Sequence, residues 1–152
     1  MSRKKVIISA CLLGELCRYD GKTKGVNEVV EAFNEYEIIP FCPEAPLFGT
    51  PRERISVVQV GEKQRIITDE TQKDVTQRLA DEIERFCDSH PCVDAIVLKS
   101  KSPSCGNGTT PILGEDKKQI GFGDGIAAKI LKRRYQNTPI RDELDYLKSE
   151  VK

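Results

Sequence analysis

The sequence predicts an α/β protein with one mostly parallel sheet. Short apolar segments typical of buried strands alternate along the chain with longer segments whose apolar residues have helical spacing. A chain of 152 residues is long enough for one domain with a real core. We therefore expect a compact, three-layer, Rossmann-like domain over residues 1–152, with its binding site beyond the carboxyl ends of the strands.

The strands are predicted where apolar residues run together between polar loops. These segments are residues 5–10, 36–42, 55–60, 64–68 and 92–100. The third and fourth segments form a strand pair around Gly61 and Glu62. Pro40 places the second segment at an irregular end or an edge of the sheet, because proline cannot donate a backbone hydrogen bond.

The helices are predicted from apolar residues three or four positions apart. The clearest helix covers residues 69–87. Similar spacing predicts a helix over residues 27–36 and another after the glycines of residues 122–135, whose last turn is basic, as the helix dipole prefers. The charged tail, residues 139–152, is predicted as a short helix. The apolar face of the clearest helix consists of Val75, Leu79, Ile83 and Phe86.

The composition argues against several classes of protein. Basic and acidic residues number 24 each, so the global charge gives no reason to expect nucleic-acid binding. No apolar run approaches the roughly 20 residues of a membrane span. Only five residues separate Lys5 from Cys11, fewer than the ~7–15 apolar residues of a secretion signal. We expect a cytoplasmic protein whose cysteines stay reduced, and the sequence predicts no particular oligomeric state.

The cysteines differ in their positions relative to the predicted strands. Cys11 and Cys42 each follow a strand, and Cys105 lies in the loop after a third strand. All three are therefore expected at the carboxyl edge of the sheet. Cys92 precedes its strand and Cys87 closes the long helix, so we expect both to be small buried residues.

Three thiolates at one edge have several possible functions. They can hold a zinc ion, form a nucleophile with helper groups, or hold an iron–sulfur cluster. A structural zinc ion normally takes four protein ligands, which would require Cys17 or another group. Iron–sulfur clusters are held by thiolates, and three of them leave one iron of a four-iron cluster open to a substrate. Three buried cysteines without metal are the remaining alternative.

Several separated motifs occur in a fixed order along the chain. They are SACLLGELCRYDGKTK from Ser9, CPE from Cys42, GTPR from Gly49, DVT from Asp74 and KSKSPSCG from Lys99. Together they resemble the thiouracil desulfidase family over roughly residues 6–131. The resemblance implies a [4Fe-4S] cluster held by three cysteines and the removal of sulfur from thiolated pyrimidines.

The resemblance also implies roles for individual residues. The cluster ligands fall on Cys11, Cys42 and Cys105. The acidic residue of the family falls on Glu44, which we expect to act as general base and then as proton donor. The family's serine falls on Ser102, which is expected to hydrogen-bond the substrate or its leaving sulfur.

Four further residues are expected to bind the substrate. Tyr19 has a ring that can stack on a flat base, and Arg18 lies beside it in a polar turn. Arg52 is expected to bind an anion or to pair with Glu53. Ser100 competes with Ser102 for the role of functional serine, as does Ser104. These residues are Arg18, Tyr19, Arg52 and Ser100.

The expected reaction is hydrolysis without net electron transfer. A thiocarbonyl and water give a carbonyl and hydrogen sulfide, and the expected substrate is a small thiolated pyrimidine such as 4-thiouracil. One alternative is a non-catalytic iron–sulfur protein that binds or senses sulfide. A second alternative is a small α/β binding module with zinc or without metal.

The glycine-rich residues 121–125 precede a helix. Such a segment can bind phosphate through backbone N–H groups at a helix N-terminus. The simpler interpretation is close packing, with Asp124 as the N-cap of the helix.

Overall fold

The computed structural model describes residues 4–13, 27–44, 53–100, 102 and 104–147. The strands are β1 Lys5–Ser9, β2 Glu37–Phe41, β3 Ile55–Val60, β4 Lys63–Thr68, β5 Ala95–Leu98, β6 Thr110–Leu113, β7 Gln119–Gly123 and β8 Ile140–Asp142. The helices are α1 Asn27–Ala32, α2 Thr76–Ser89, α3 Ile126–Arg134 and α4 Leu144–Leu147. A 3₁₀ turn, Ala10–Leu13, follows β1 directly. None of the described helices has the length and apolar character needed to cross a membrane.

A four-stranded parallel sheet confirms the predicted fold class. Its strand order is β2-β1-β5-β8, and every neighbouring pair is parallel. The register pairs Ser9 with Phe41 and Leu98 with Asp142, the last residues of their strands. All four strands therefore end at nearly the same level. β2, which contains Pro40, is an edge strand of this sheet, as predicted.

Helices cover both faces of the parallel sheet. On one face, Ile7, Phe41 and Leu98 pack against apolar residues of α2 and α3. On the other face, Val6 and Ile8 pack with residues of α1, and Tyr146 of α4 borders the same cluster. The result is the predicted three-layer arrangement. It buries the central strands completely, which explains why their sequences are continuously apolar.

A second four-stranded sheet, in the order β4-β3-β6-β7, is a correction to the expectation of one sheet. The predicted pair β3 and β4 is present, with its turn at Gly61, where φ is +62°. No strand is predicted from the sequence over residues 110–113 or 119–123, where β6 and β7 lie. Pro111, Gly121 and Gly123 lie within them and conceal the strand pattern. This sheet packs on the start of α2 through the apolar residues of its inner face, which are Ile55, Val57, Ile66 and Ile112.

The long helix begins later than predicted, at Thr76 rather than at residue 69. Residues 69–71 form a turn, in which Glu53 accepts hydrogen bonds from the backbone N–H groups of Glu70 and Thr71. Asp74 then accepts hydrogen bonds from the N–H and hydroxyl groups of Thr76. These local polar contacts hold the segment in a non-helical conformation.

The predicted C-terminal helix is also corrected. Residues 140–142 form β8, and a short α4 follows. Ile140 pairs with Ile96, and the N–H of Ile96 donates to the carbonyl of Pro139 at 3.0 Å. Ile140 is thus part of the strand that completes the sheet. This strand was not predicted, because most residues of the tail are charged or polar.

The two cysteines predicted to be buried differ in their exposure to solvent. Cys87 is buried in the main core, as predicted. Cys92 is exposed, which contradicts the prediction. The reason is that β5 begins at Ala95, so that Cys92 lies in the surface connection between α2 and the strand.

Candidate metal centre and active site

The candidate site lies beyond the carboxyl ends of the parallel strands. The backbone of Cys11 is in the 3₁₀ turn after β1, and Cys42 follows β2 directly. Ser100 lies two residues beyond β5, and Glu143 follows β8. Since these strands end at one level, chain segments that are far apart in sequence meet at one edge.

Cys105 lies at the centre of the described part of this edge. Its thiol is free and buried, and its sulfur lies 3.6 Å from the hydroxyl oxygen of Ser104. Burial raises the pKa of Cys105 to about 12, and negative charge on Cys42 and Glu44 also acts to raise it. The thiol is therefore neutral at pH 7 and must release a proton when it binds a metal.

Glu44 is held beside Cys105 by a serine. The hydroxyl of Ser104 donates a hydrogen bond to Oε2 of Glu44 at 2.7 Å, and both residues are buried. A hydroxyl has only one proton to donate, so the proton of Ser104 is committed to the carboxylate. This bond fixes the orientation of a buried carboxylate next to a buried thiol.

Ser102 organises the loop that carries Cys105. Its hydroxyl oxygen accepts hydrogen bonds from the N–H groups of Cys105 at 3.1 Å and Ser104 at 3.3 Å. Its carbonyl accepts further bonds from the N–H of Gly106 and the hydroxyl of Thr110. The predicted catalytic serine therefore has a clear structural function in this loop.

The N-terminus of α3 packs directly on the same loop. The N–H of Gly125 donates to the carbonyl of Gly106 at 2.8 Å, and the N–H of Ala127 donates to the carbonyl of Ser104 at 2.7 Å. A Cβ atom at position 125 would lie 2.4 Å from the carbonyl carbon and oxygen of Ser104. The predicted close-packing function of residues 121–125 is thus confirmed at Gly125.

Asp124 is not the N-cap that the sequence predicted. The N-cap is Gly125, which makes no side-chain capping bond. The carboxylate of Asp124 instead accepts the N–H of Gly108 at 2.7 Å and pairs with Lys132 at 3.0 Å. Because the loop carbonyls already satisfy the N–H groups at this helix end, no capping side chain is needed there.

A buried glutamate fixes the beginning of the loop. Glu143 accepts hydrogen bonds of 2.7 Å from both the N–H and the hydroxyl of Ser100, and it pairs with Lys99 at 3.3 Å. Burial alone would raise its pKa, but the bonds from Ser100 and the charge of Lys99 outweigh burial and lower the pKa of Glu143. The carboxylate is therefore ionised at neutral pH and holds β5 against β8.

The predicted site residues divide into three groups. Cys42, Glu44, Ser102 and Cys105 are brought to one edge, whereas the hydroxyl of Ser100 is bonded to Glu143. Within the described ranges, no complete group of three metal-ligating side chains is assembled. The remaining predictions, which lie outside the described residues, are Arg18, Tyr19, Arg52 and the side chain of Cys11.

Three residues of the site carry contacts that the sequence analysis did not assign. Ser9 accepts a hydrogen bond from the N–H of Lys99, Ser104 orients Glu44, and Glu143 fixes Ser100. The signal for Ser9 was available, because it is a polar residue directly after the apolar run of β1. Glu143 gave no signal, since the strand before it was predicted as helix.

Comparison with known proteins decides the family. The 2-thiouracil desulfurase family matches residues 6–143. The chain belongs to this family. This confirms the resemblance seen in the motifs, and with it the predicted class of carbon–sulfur bond-cleaving enzymes.

Two relatives of this 2-thiouracil desulfurase family member extend the comparison. The uncharacterised protein YbbK of Bacillus subtilis (strain 168) is 28% identical over 150 residues, which cover 92% of this chain and 97% of that protein. The solved structure of TudS, a [4Fe-4S]-dependent thiouracil desulfidase, is 30% identical with a TM-score of 0.67. That match covers 98% of each chain, so the similarity includes both sheets.

Replacing Gly125 with alanine is expected to displace the Cys105 loop. The added Cβ meets backbone atoms, which cannot move aside as a flexible side chain does, and we expect a loss of about 1–3 kcal/mol in the free energy of unfolding. In the metal-free protein, Cys105 should also react faster with a thiol reagent, as mapped by mass spectrometry. Gly121→Ala is the control, because no atom lies within 4 Å of its added Cβ. Equal stability and equal labelling of Cys105 in both variants would contradict the packing argument.

Replacing Glu143 with glutamine is expected to lower the free energy of unfolding at neutral pH by about 2–3 kcal/mol, because hydrogen bonds to a charged group are lost. The folded-state pKa of Glu143 lies below its unfolded value of about 4.3, so its stabilising effect is complete above that value. The effect is lost as the pH falls through the lowered pKa. Urea denaturation should therefore show a difference in the free energy of unfolding between wild type and variant, and this difference should become smaller below about pH 4.

The control for this prediction is Glu82→Gln, which removes a carboxylate from a surface pair with Arg85. That change should lower the free energy of unfolding by less than about 1 kcal/mol. If Glu143→Gln is as stable as this control, the buried carboxylate does not stabilise the fold. A difference in the free energy of unfolding between wild type and Glu143→Gln that grows in acid would refute this function as well.

Proposed function

We propose that this chain holds a [4Fe-4S] cluster with Cys11, Cys42 and Cys105 and removes sulfur from a small thiolated pyrimidine as hydrogen sulfide. The observation that carries the proposal is the buried, serine-oriented carboxylate of Glu44 next to the buried thiol of Cys105. Membership of the 2-thiouracil desulfurase family and the similarity to the [4Fe-4S]-dependent TudS support it.

The donor chemistry of the site fits such a cluster. Iron–sulfur clusters take thiolate ligands, and both Cys42 and Cys105 supply a cysteine sulfur at this edge. The backbone of Cys11 lies in the turn after β1, between the ends of β2 and β5. When bound, a cluster with three protein ligands supplies an open iron that attracts soft sulfur and polarises the thiocarbonyl of the substrate.

The protein residues supply proton transfer. The Glu44 carboxylate accepts a proton from the water molecule that attacks the ring carbon, and it later delivers this proton to the departing sulfur. The second water proton leaves the newly added hydroxyl group as the carbonyl forms and also goes to the departing sulfur. A C=S double bond is thereby replaced by a C=O double bond, and thiocarbonyl plus water become carbonyl plus hydrogen sulfide. Ser104 holds the carboxylate in one orientation during both transfers.

The serines of the loop have separable functions in this proposal. Ser104 orients Glu44, and Ser102 shapes the backbone around Cys105 while its hydroxyl lies 3.4 Å from that of Ser104. Ser100 is bonded to Glu143, which favours a structural function over the predicted substrate contact. Arg18, Tyr19 and Arg52 stay predictions for binding the pyrimidine.

A series of cysteine-to-serine variants tests the ligand set. After anaerobic reconstitution, replacement of Cys11, Cys42 or Cys105 should each remove most of the iron, because the cluster loses one of its three thiolates. Cys92→Ser is the control, since Cys92 is exposed and lies in the connection before β5, and it should retain full iron content. Iron analysis and visible absorbance give the readout. Retention of iron by Cys42→Ser would overturn the ligand assignment.

A Glu44→Gln variant tests the proton transfer. We expect it to keep its iron but to release sulfide from 4-thiouracil or 2-thiouracil at least about 100-fold more slowly, the usual range for loss of a general base. Glu62→Gln, at the exposed turn between β3 and β4, is the matched control. Sulfide and uracil are quantified together. A fully loaded wild-type protein that releases no sulfide from either compound would refute the proposed activity itself.

A further inference from the structure

We propose that two copies of this chain associate through strand β7, which pairs antiparallel with β7 of the second copy about a two-fold axis at Gly121. Ile120 and Phe122 are the apolar contacts of this interface. It uses none of the proposed cluster ligands or proton-transfer groups, so the proposal does not depend on the proposed function.

Strand β7 is an edge strand of the second sheet. In the described part of the chain the strand order is β4-β3-β6-β7, so β7 pairs with β6 on one side only. The second side of an edge strand presents backbone N–H and C=O groups that can pair with another chain. Proteins commonly protect such edges with proline or charged residues, and β7, with the sequence QIGFG, contains neither.

Two large apolar side chains of this edge strand are exposed. Ile120 is 61% exposed and Phe122 is 62% exposed, more than any other large hydrophobic residue that the structure describes. The register pairs Gln119 with Leu113 and Gly121 with Ile112, so Ile120 is an extra residue in the strand. A bulge of this kind re-aims a side chain. Adjacent exposed apolar residues at a sheet edge are typical of an interaction surface.

The strand is complementary to itself. In an antiparallel pair with the axis at Gly121, each residue faces the one equally far on the other side of that glycine. Ile120 therefore faces Phe122 of the second copy, and the symmetry forms this aromatic–aliphatic pair twice. No atom lies within 4 Å of a Cβ built at Gly121, so the second strand has room to approach at the axis.

The charges beside the strand match the same register. Lys118 precedes β7 and Asp124 follows it, and the two-fold axis at Gly121 places each opposite the other in the second copy. Opposite charges in such cross-strand positions are stabilising. Asp124 already accepts the N–H of Gly108 and pairs with Lys132, and these bonds fix the direction of its carboxylate.

Other positions of the axis give poorer pairs. An axis at Phe122 would place Ile120 opposite Asp124, and an axis at Ile120 would place Phe122 opposite Lys118. Both alternatives bring an apolar side chain against a charge. The sequence around β7 therefore favours the axis at Gly121 over its nearest alternatives in the same alternation of faces.

The expected dimer is a weak one. Five residues from each chain form an interface below the size of permanent dimers, so we expect dissociation in the micromolar range, about 1–100 µM. Sedimentation velocity of the purified full chain, from about 1 to 200 µM, measures this equilibrium. A wild-type chain that stays monomeric at the highest concentration would overturn the proposal.

Exposed residues allow variants that leave the core unchanged. Phe122→Lys should weaken the dimer at least about tenfold, because it removes an apolar contact and places a charge opposite Ile120 twice. Val30→Lys, at the 36% exposed Val30 of helix α1, is the control and should dimerise like the wild type. A dissociation constant that does not change in Phe122→Lys would contradict the interface.

A second pair of variants tests the register. Lys118→Glu places two acidic groups opposite Asp124 and should weaken the dimer several-fold, most strongly at low salt. Lys63→Glu makes the same change of net charge on β4, at the opposite edge of this sheet, and should have no effect. Equal effects of both substitutions would refute the pairing of Lys118 with Asp124.

A zero-length cross-link tests the contact in the wild-type chain. Lys118 and Asp124 of one chain are separated by about 20 Å of extended strand, so a carbodiimide can join them only between two copies. Mass spectrometry of a mixture of ¹⁵N-labelled and unlabelled chains should show this link between one labelled and one unlabelled peptide. The link from Asp124 to its own Lys132, 3.0 Å away, is the internal control. Formation of the control link without the Lys118–Asp124 link would overturn the proposal.

Discussion

The level register of four parallel strands is the constraint on which the candidate site depends. Ser9 is paired with Phe41, and Leu98 with Asp142, so the chain leaves β1, β2, β5 and β8 at one edge. Thiols that are far apart in sequence can meet only because these strands end together. A slip of one residue in any strand would also turn its side chains to the opposite face, and the two-sided burial of the central strands opposes such a slip.

Buried carboxylates then give this edge its fine geometry. Glu44 is oriented by Ser104, and Glu143 anchors Lys99 and Ser100. Each is buried with its hydrogen bonds formed, and no described buried side-chain nitrogen or oxygen lacks a partner. Satisfied polar groups of this kind restrict the loop to one arrangement, since any other leaves a charge unpaired inside the protein. The backbone of Gly125 packs so closely on that of Ser104 that a larger residue would not fit there, which also restricts the position of the loop.

The sequence predicts the parts of this protein that depend on local pattern. Continuous apolar segments identified β1, β2 and β5, and the motifs identified the family. The second sheet was missed because Pro111, Gly121 and Gly123, which are residue types unusual within strands, lie in β6 and β7. Strand β8 was missed because it lies in a charged tail. The contacts of Ser9 and Glu143 depend on long-range pairing between strands, which no local pattern encodes. Cys92 was placed wrongly because the predicted strand boundary lay before Ala95, where β5 begins.

The most direct test of the account is an anaerobic crystal structure of the reconstituted protein, with iron located by its anomalous scattering. We expect one four-iron cluster at the carboxyl edge of the parallel sheet, bonded to the sulfur atoms of Cys11, Cys42 and Cys105, with Glu44 beside the iron that has no protein ligand. Iron bound elsewhere, or a cluster whose fourth iron is closed by Cys17, would contradict it.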